Sequence, residues 1–172
     1  MQIVSVINQK GGVGKTTTVI NLAAGLSQLN KKILVIDLDP QGNATTGLGL
    51  SNMDNSSDTI YGVLNGTKEI SAVIKKTQFE NLDIVTSNVD LSGLEVETAD
   101  DSNRAFILKA KLSSYLNNSR GFYDYVLIDC PPSLSLLTVM ALVCSSSLLV
   151  PLQTEFFALE GLTQLMKTIE RI

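Results

Sequence analysis

Short apolar runs and amphipathic stretches take turns along this chain. The runs at residues 2–7, 33–36, 82–86, 125–129 and 147–152 are mostly Ile, Leu and Val, the composition of strands covered on both faces. Between several of them, apolar residues recur every three or four positions, the helical period. The pattern predicts helices over 15–29, 105–116, 134–143 and from 156 or 157 to 172. In 105–116, Phe106, Leu108, Leu112, Tyr115 and Leu116 are spaced for one buried face, with Lys109 and Lys111 outside it. Leu159, Leu162, Leu165, Met166 and Ile169 form the same kind of face in the last helix. Residues 59–64 and 70–74 read as short helical pieces, 43–58 as a polar loop, and 88–101 as a loop with one helical turn that serves packing. Alternation of this kind builds an α/β fold with a doubly wound, mostly parallel sheet. No repeat or linker divides the chain, so residues 1–172 read as one domain. The last helix stops at Ile172 in mid-pattern without a Gly or Asn cap, which reads as a C-terminally incomplete domain.

The first strand runs into residues 8–17, Asn-Gln-Lys-Gly-Gly-Val-Gly-Lys-Thr-Thr, and a helix follows. Strand, glycine-rich turn and helix form the context in which such a run cradles phosphate. Gly11, Gly12 and Gly14 let successive N–H groups converge on an anion. The helix beginning near Lys15 aims its unpaired N–H groups and positive dipole end at the same point. Lys15 adds a full charge for the β- and γ-phosphates, and Thr16 a hydroxyl for a magnesium ion. The candidate nucleotide-binding set is Lys10, Gly11, Gly12, Val13, Gly14, Lys15, Thr16 and Thr17. Gln9 stands where the common phosphate loop has its first glycine, and Lys10 precedes the glycines instead. This is the deviant Walker A loop, K-G-G-x-G-K-T. A cation at Lys10 can point across the loop toward a phosphate that its own chain does not hold.

Two further strands end in aspartates. Residues 33–36 lead into Asp37-Leu38-Asp39-Pro40-Gln41-Gly42, and Asp129 closes the run at 125–129 ahead of Pro131 and Pro132. Open α/β sheets place their ligands at this carboxyl edge. Hydrolysing a nucleotide needs phosphate charge neutralised, a metal held and a water aligned on the γ-phosphate. Asp129 fits the carboxylate that holds magnesium directly or through water, with Thr16 as the other metal ligand. Asp39 fits the group that orients and helps deprotonate the water, with Asp37 as its rival or as a partner further from the metal. Lys10, Lys15 and Asp39 are thus the candidate catalytic residues. Arg104, Arg120 and Arg171 lie in no motif, so a charge-stabilising finger must come from Lys10 or from a partner chain.

Composition narrows the field by exclusion. The 172 residues are 44% hydrophobic and 17% charged, which is globular, and contain no Trp and no His. His-based acid–base catalysis and His metal sites are therefore excluded. A net charge of −4 argues against binding nucleic acid by bulk charge. Cys130 and Cys144 lack disulfide-scaffold numbers and metal-ligand spacing, as expected of buried reduced thiols in a cytoplasmic protein. No charged residue occurs between Cys130 and Thr154, but Pro131, Pro132, Ser145, Ser146, Ser147 and Pro151 cut that stretch into a buried helix and strand rather than a membrane span. Met1-Gln2 leads directly into a strand, leaving no signal peptide.

Residues 8–17 with Lys10, the string Asp37-Leu38-Asp39-Pro40-Gln41-Gly42-Asn43-Ala44-Thr45, and Asp129-Cys130-Pro131-Pro132-Ser133 together resemble the ParA/Soj partition ATPases. Residues 88–97 and 151–162 extend the likeness essentially from end to end. The 37–45 string separates this family from its MinD, nitrogenase-iron-protein and synthetase cousins. The resemblance implies an ATP- and Mg2+-dependent homodimer that sandwiches two nucleotides. Lys10 then matches a lysine that reaches the partner's nucleotide, Lys15 and Thr16 the phosphate and magnesium ligands, Asp39 the hydrolytic aspartate and Asp129 the metal-associated one. It further implies non-specific DNA binding by the ATP-bound dimer, release triggered by a ParB-like protein, and a nucleoid-associated role in chromosome or plasmid segregation. The chain departs from the family in three ways. Members continue well beyond residue 172, Ser135 and Met140 stand where Gly and Asn are common, and the surface is acidic, which speaks against DNA binding by this chain alone. Two other readings stay open: a deviant-loop ATP-dependent synthetase, and a truncated, non-hydrolysing remnant that binds nucleotide.

Overall fold

The computed structural model describes residues 1–51, 56–118, 122–154 and 158–170. Within them the chain forms β1 (Gln2–Val6), α1 (Lys15–Gln28), β2 (Ile33–Asp37), α2 (Asn43–Gly47), α3 (Ile60–Leu64), α4 (Ile70–Val73), β3 (Ile74–Lys76) and β4 (Leu82–Val85). It continues through α5 (Leu94–Glu97), α6 (Ile107–Asn118), β5 (Tyr125–Asp129), α7 (Leu136–Cys144), β6 (Ser147–Leu149) and α8 (Ala158–Ile169). One six-stranded sheet runs in the order β3-β4-β2-β5-β1-β6. Its strands pair in parallel except for β3, which is antiparallel to β4.

All five residues of β2 are buried, and their alternation sorts the core into two layers. Ile33 and Val35 face the layer that includes Val19 and Ala23 of α1 and Ala44 of α2. Leu34 and Ile36 face the layer built from α3, α4, α5, α6 and α7, with Leu108, Leu112 and Met140 among its members. A strand covered on both faces has no polar side to show, which is why these runs read as unbroken Ile, Leu and Val. The doubly wound, mostly parallel sheet expected from the sequence is the one observed.

Several local expectations need correction. Phe106 is 53% exposed, because it sits in the 3-10 turn Arg104–Phe106 ahead of α6 and so lies off the buried stripe of Leu108, Leu112 and Leu116. Met166 is 48% exposed while its neighbour Leu165 is buried. The more buried stripe of α8 runs through Leu162, Leu165 and Ile169, and Met166, about 100° round the helix from Leu165, lies at its exposed edge. The strand expected over 147–152 ends at Leu149, since Pro151 has no N–H for the ladder. Residues 43–47, read as loop, form α2, and β3 was not expected at all. Residues 156–157 and 171–172, assigned above to the last helix, lie outside the described residues.

Gly62 in α3 marks a close approach that no periodicity reveals. A Cβ built there would meet the carbonyl oxygen of Ser57 and lie 2.7 Å from its carbonyl carbon, a clash with backbone that cannot swing aside. Gly62→Ala is therefore expected to destabilise the chain by about 1–3 kcal/mol. At roughly 2–4 °C per kcal/mol for a domain of this size, a thermal melt should show a loss of several degrees.

Candidate functional site

Strands β1, β2 and β5 are neighbours and end on the same rim of the sheet. Asp129 at the end of β5 stands in register with Val6 of β1 on one side and Asp37 of β2 on the other. The glycine-rich loop leaves β1 here. Asn8 Oδ1 accepts the Lys10 N–H at 3.0 Å, and Asn8 Nδ2 donates to the Pro151 carbonyl at 2.8 Å. Gln153 Nε2 donates to the Gly12 carbonyl at 3.2 Å, so the segment after β6 braces the loop from outside.

Gly12 and Gly14 hold φ values of +75° and +87°, a left-handed backbone that residues with a Cβ resist. A Cβ on either would meet nothing within 4 Å; backbone handedness, not crowding, demands glycine. Gly14 is also the N-cap of α1 and makes no side-chain cap, so the N–H groups of the first turn have no intrahelical partner. They border a cavity of about 490 Å³ lined by Gly11, Gly12, Gly14, Lys15, Thr16, Thr17, Ile20, Asp39, Asn43 and Pro132. Lys15 is buried at its edge, with Nζ donating to the Lys10 carbonyl at 3.1 Å. Burial lowers its pKa, while Asp129, Asp39 and Cys130 pull the other way.

The three aspartates occupy different environments. Asp39 lines the cavity, and its Oδ1 accepts the Gln41 N–H at 2.9 Å. Asp37 is wholly buried and does not line the cavity; it accepts from Asp39 N at 3.2 Å and from Thr45 N and Oγ1 at 2.8 and 2.7 Å. Burial still pushes it up to about 6, the Thr45 and Asp39 hydrogen bonds offsetting part of the rise. Asp129 is wholly buried, and neither of its oxygens makes a close, well-aligned hydrogen bond among the described residues. Burial first and Asp37 second push it up to about 7, against the smaller pull of the Thr16 hydroxyl and, last, Lys15.

A buried carboxylate without partners is costly unless something positive joins it. The described residues offer no cluster of three or more His, Cys, Asp or Glu that could hold a metal alone. A hydroxyl at Thr16 and a carboxylate at Asp129 instead suit magnesium, which keeps waters and draws its other ligands from substrate phosphates. Both thiols are buried, and burial raises Cys130 and pushes Cys144 up to about 12, so neither is a poised nucleophile.

Of the residues singled out by sequence, Gly11, Gly12, Gly14, Lys15, Thr16, Thr17 and Asp39 meet around the cavity. Val13 is buried, Asp129 is buried at the adjoining strand end, and Lys10 is exposed and does not line the cavity. Sequence reasoning missed Ile20, Asn43 and Pro132 in the lining and the bracing amides of Asn8 and Gln153. Asn43 and Pro132 flank the aspartate motifs, which was the available signal; Gln153 had none beyond family likeness.

The raised carboxylates set a pH dependence. Both folded-state values lie above the ordinary 3.8, so ionisation costs the folded state. Their contribution to stability is fully present below about pH 4 and is lost as pH rises through 6 and 7. Asp129→Asn should remove much of this: between pH 4 and 7 the variant gains on the wild type by up to ~1.4 kcal/mol per pH unit in urea unfolding.

A family model described as an AAA domain matches residues 1–172. The chromosome partitioning protein ParA of Caulobacter vibrioides is 48% identical over 172 residues, covering 100% of this chain and 63% of its own length. The sporulation initiation inhibitor protein Soj of Bacillus subtilis is 44% identical over 171 residues, 99% of this chain and 66% of its own. This chain thus spans less than two thirds of the length of the curated relatives it matches. The crystal structure of cobyrinic acid a,c-diamide synthase from Mycobacterium smegmatis, with bound ATP analogue and magnesium, superposes with a TM-score of 0.90 at 38% identity, over 99% of this chain and 68% of that one. The chain belongs to the AAA-domain family whose model spans it, and over its whole length it is similar to the ParA and Soj proteins.

Proposed function

We propose that this chain binds ATP with Mg2+ on its glycine-rich loop and acts as a ParA-type, nucleotide-switched ATPase in chromosome or plasmid segregation. The observation that carries the reading is the buried Asp129 carboxylate, which makes no close hydrogen bond, near Lys15 and the open first turn of α1. An acid held at such a site calls for a dication, and the N–H groups next to it call for phosphate. Magnesium, when bound, would neutralise charge developing on the phosphates.

In this reading the N–H groups of residues 11–17 and the Lys15 ammonium hold the phosphates, Thr16 and Asp129 serve the metal, and Asp39 orients the attacking water at the cavity wall. Lys10, exposed outside the cavity, is assigned to the nucleotide of a second copy, which makes the dimer part of the site. A ParB-like protein and non-specific DNA are the partners this family role calls for. A synthetase reading has one support, the likeness to the Mycobacterium smegmatis enzyme; turnover that depends on a small-molecule acid and not on DNA would favour it.

Lys15→Ala is expected to weaken binding of a fluorescent ATP analogue by about tenfold or more, as loss of a charged phosphate contact would. Unchanged affinity would remove the phosphate-loop assignment. Lys10→Ala should leave monomer affinity within about twofold, while light scattering with ATP and Mg2+ shows loss of the dimer.

A further inference from the structure

Asp39 can orient a water only if the segment that carries it is held still. That segment, residues 39–45, leaves β2 and returns as the first turn of α2. Asp37 grips it at both ends, through the Asp39 N–H on one oxygen and through Thr45 N–H and Oγ1 on the other. The Thr45 hydroxyl does not stop there: it accepts the Ser87 N–H at 3.0 Å, just beyond β4. A hydroxyl has one proton, and here Asp37 takes it, leaving a lone pair for Ser87. Asp37, Thr45 and Ser87 are all buried, where an unmade hydrogen bond costs its full desolvation. The bridge therefore joins the end of β2, the start of α2 and the end of β4 into one bracket around Asp39.

We propose that Thr45 is a positioning residue for Asp39: its hydroxyl, bridging the Asp37 carboxylate and the Ser87 amide, fixes where the Asp39 carboxylate stands on the cavity wall. This rests on the assignment of Asp39 as the water-orienting group. Asp37 then acts through the Asp39 N–H and through Thr45 and does not line the cavity, which separates its role from that of Asp39.

The test compares Thr45→Val, which keeps the shape and loses the hydroxyl, with Thr45→Ser, which keeps the hydroxyl, and with Asp39→Ala. Amide hydrogen exchange in the wild type should show the Ser87 N–H protected; exchange as fast as in exposed loops would overturn the bridge without any variant. In Thr45→Val, amides of 39–45 and Ser87 should exchange about tenfold faster or more, with those of α1 unchanged, and Thr45→Ser should restore protection. Single-turnover ATP hydrolysis should fall about tenfold in Thr45→Val at unchanged nucleotide affinity and recover in Thr45→Ser. Equal loss in both variants, or none in Thr45→Val, would overturn the proposal. Should Asp39→Ala turn over normally, the water-orienting assignment fails instead. If the chain binds ATP without turning it over, exchange alone decides.

Discussion

Three carboxylates and one buried ammonium meet where three parallel strands end, and this surplus of negative charge is the constraint the rest of the site answers to. Asp37 and Asp129 stand in register on adjacent strands, inside a rim that both core layers keep dry. Lys15 cannot balance them, since its own burial works against its charge. Asp37 is satisfied by hydrogen bonds; Asp129 is not. Asp129 is therefore the group whose charge a metal–phosphate ligand of the proposed kind would neutralise.

The fold supplies this arrangement through topology. The chain leaves β1 by the glycine loop and passes over β5 to form β2, and β5 later inserts between them. The crevice left at the strand ends is where doubly wound sheets bind ligands. Left-handed backbone at Gly12 and Gly14 turns the loop so that α1 starts at the crevice. The segment after β6 closes the far side through Asn8 and Gln153, so the edge of the sheet also bears on the glycine-rich loop.

Much of this was legible in the residues. Strands buried on both faces announce themselves by unbroken apolar runs, and the loop by its glycines and lysine. Aspartates at strand ends point to the ligand edge by position alone. What stayed hidden depends on tertiary contacts. The three residues of β3 include two lysines and become a strand by pairing with β4, where Lys76 meets the buried Asp83 at 2.8 Å. Asn-Ala-Thr-Thr-Gly carries no helical pattern, and α2 is anchored by the Asp37–Thr45 contacts instead. By spacing, Asp39 is the choice and Asp37 remains its rival. They part because the Leu38 N–H still bonds to the Asp129 carbonyl, after which the chain turns and carries Asp39 to the cavity wall.

Asp129 is the buried acid that binding of nucleotide and metal should drive to its ionised form. Calorimetry of MgATP binding in two buffers of different ionisation enthalpy measures the protons exchanged at pH 7. With Asp129 held at about 7 in the free protein, binding should release about half a proton, and Asp129→Asn should abolish that release. Binding with no proton release, or the same release from Asp129→Asn, would contradict the account.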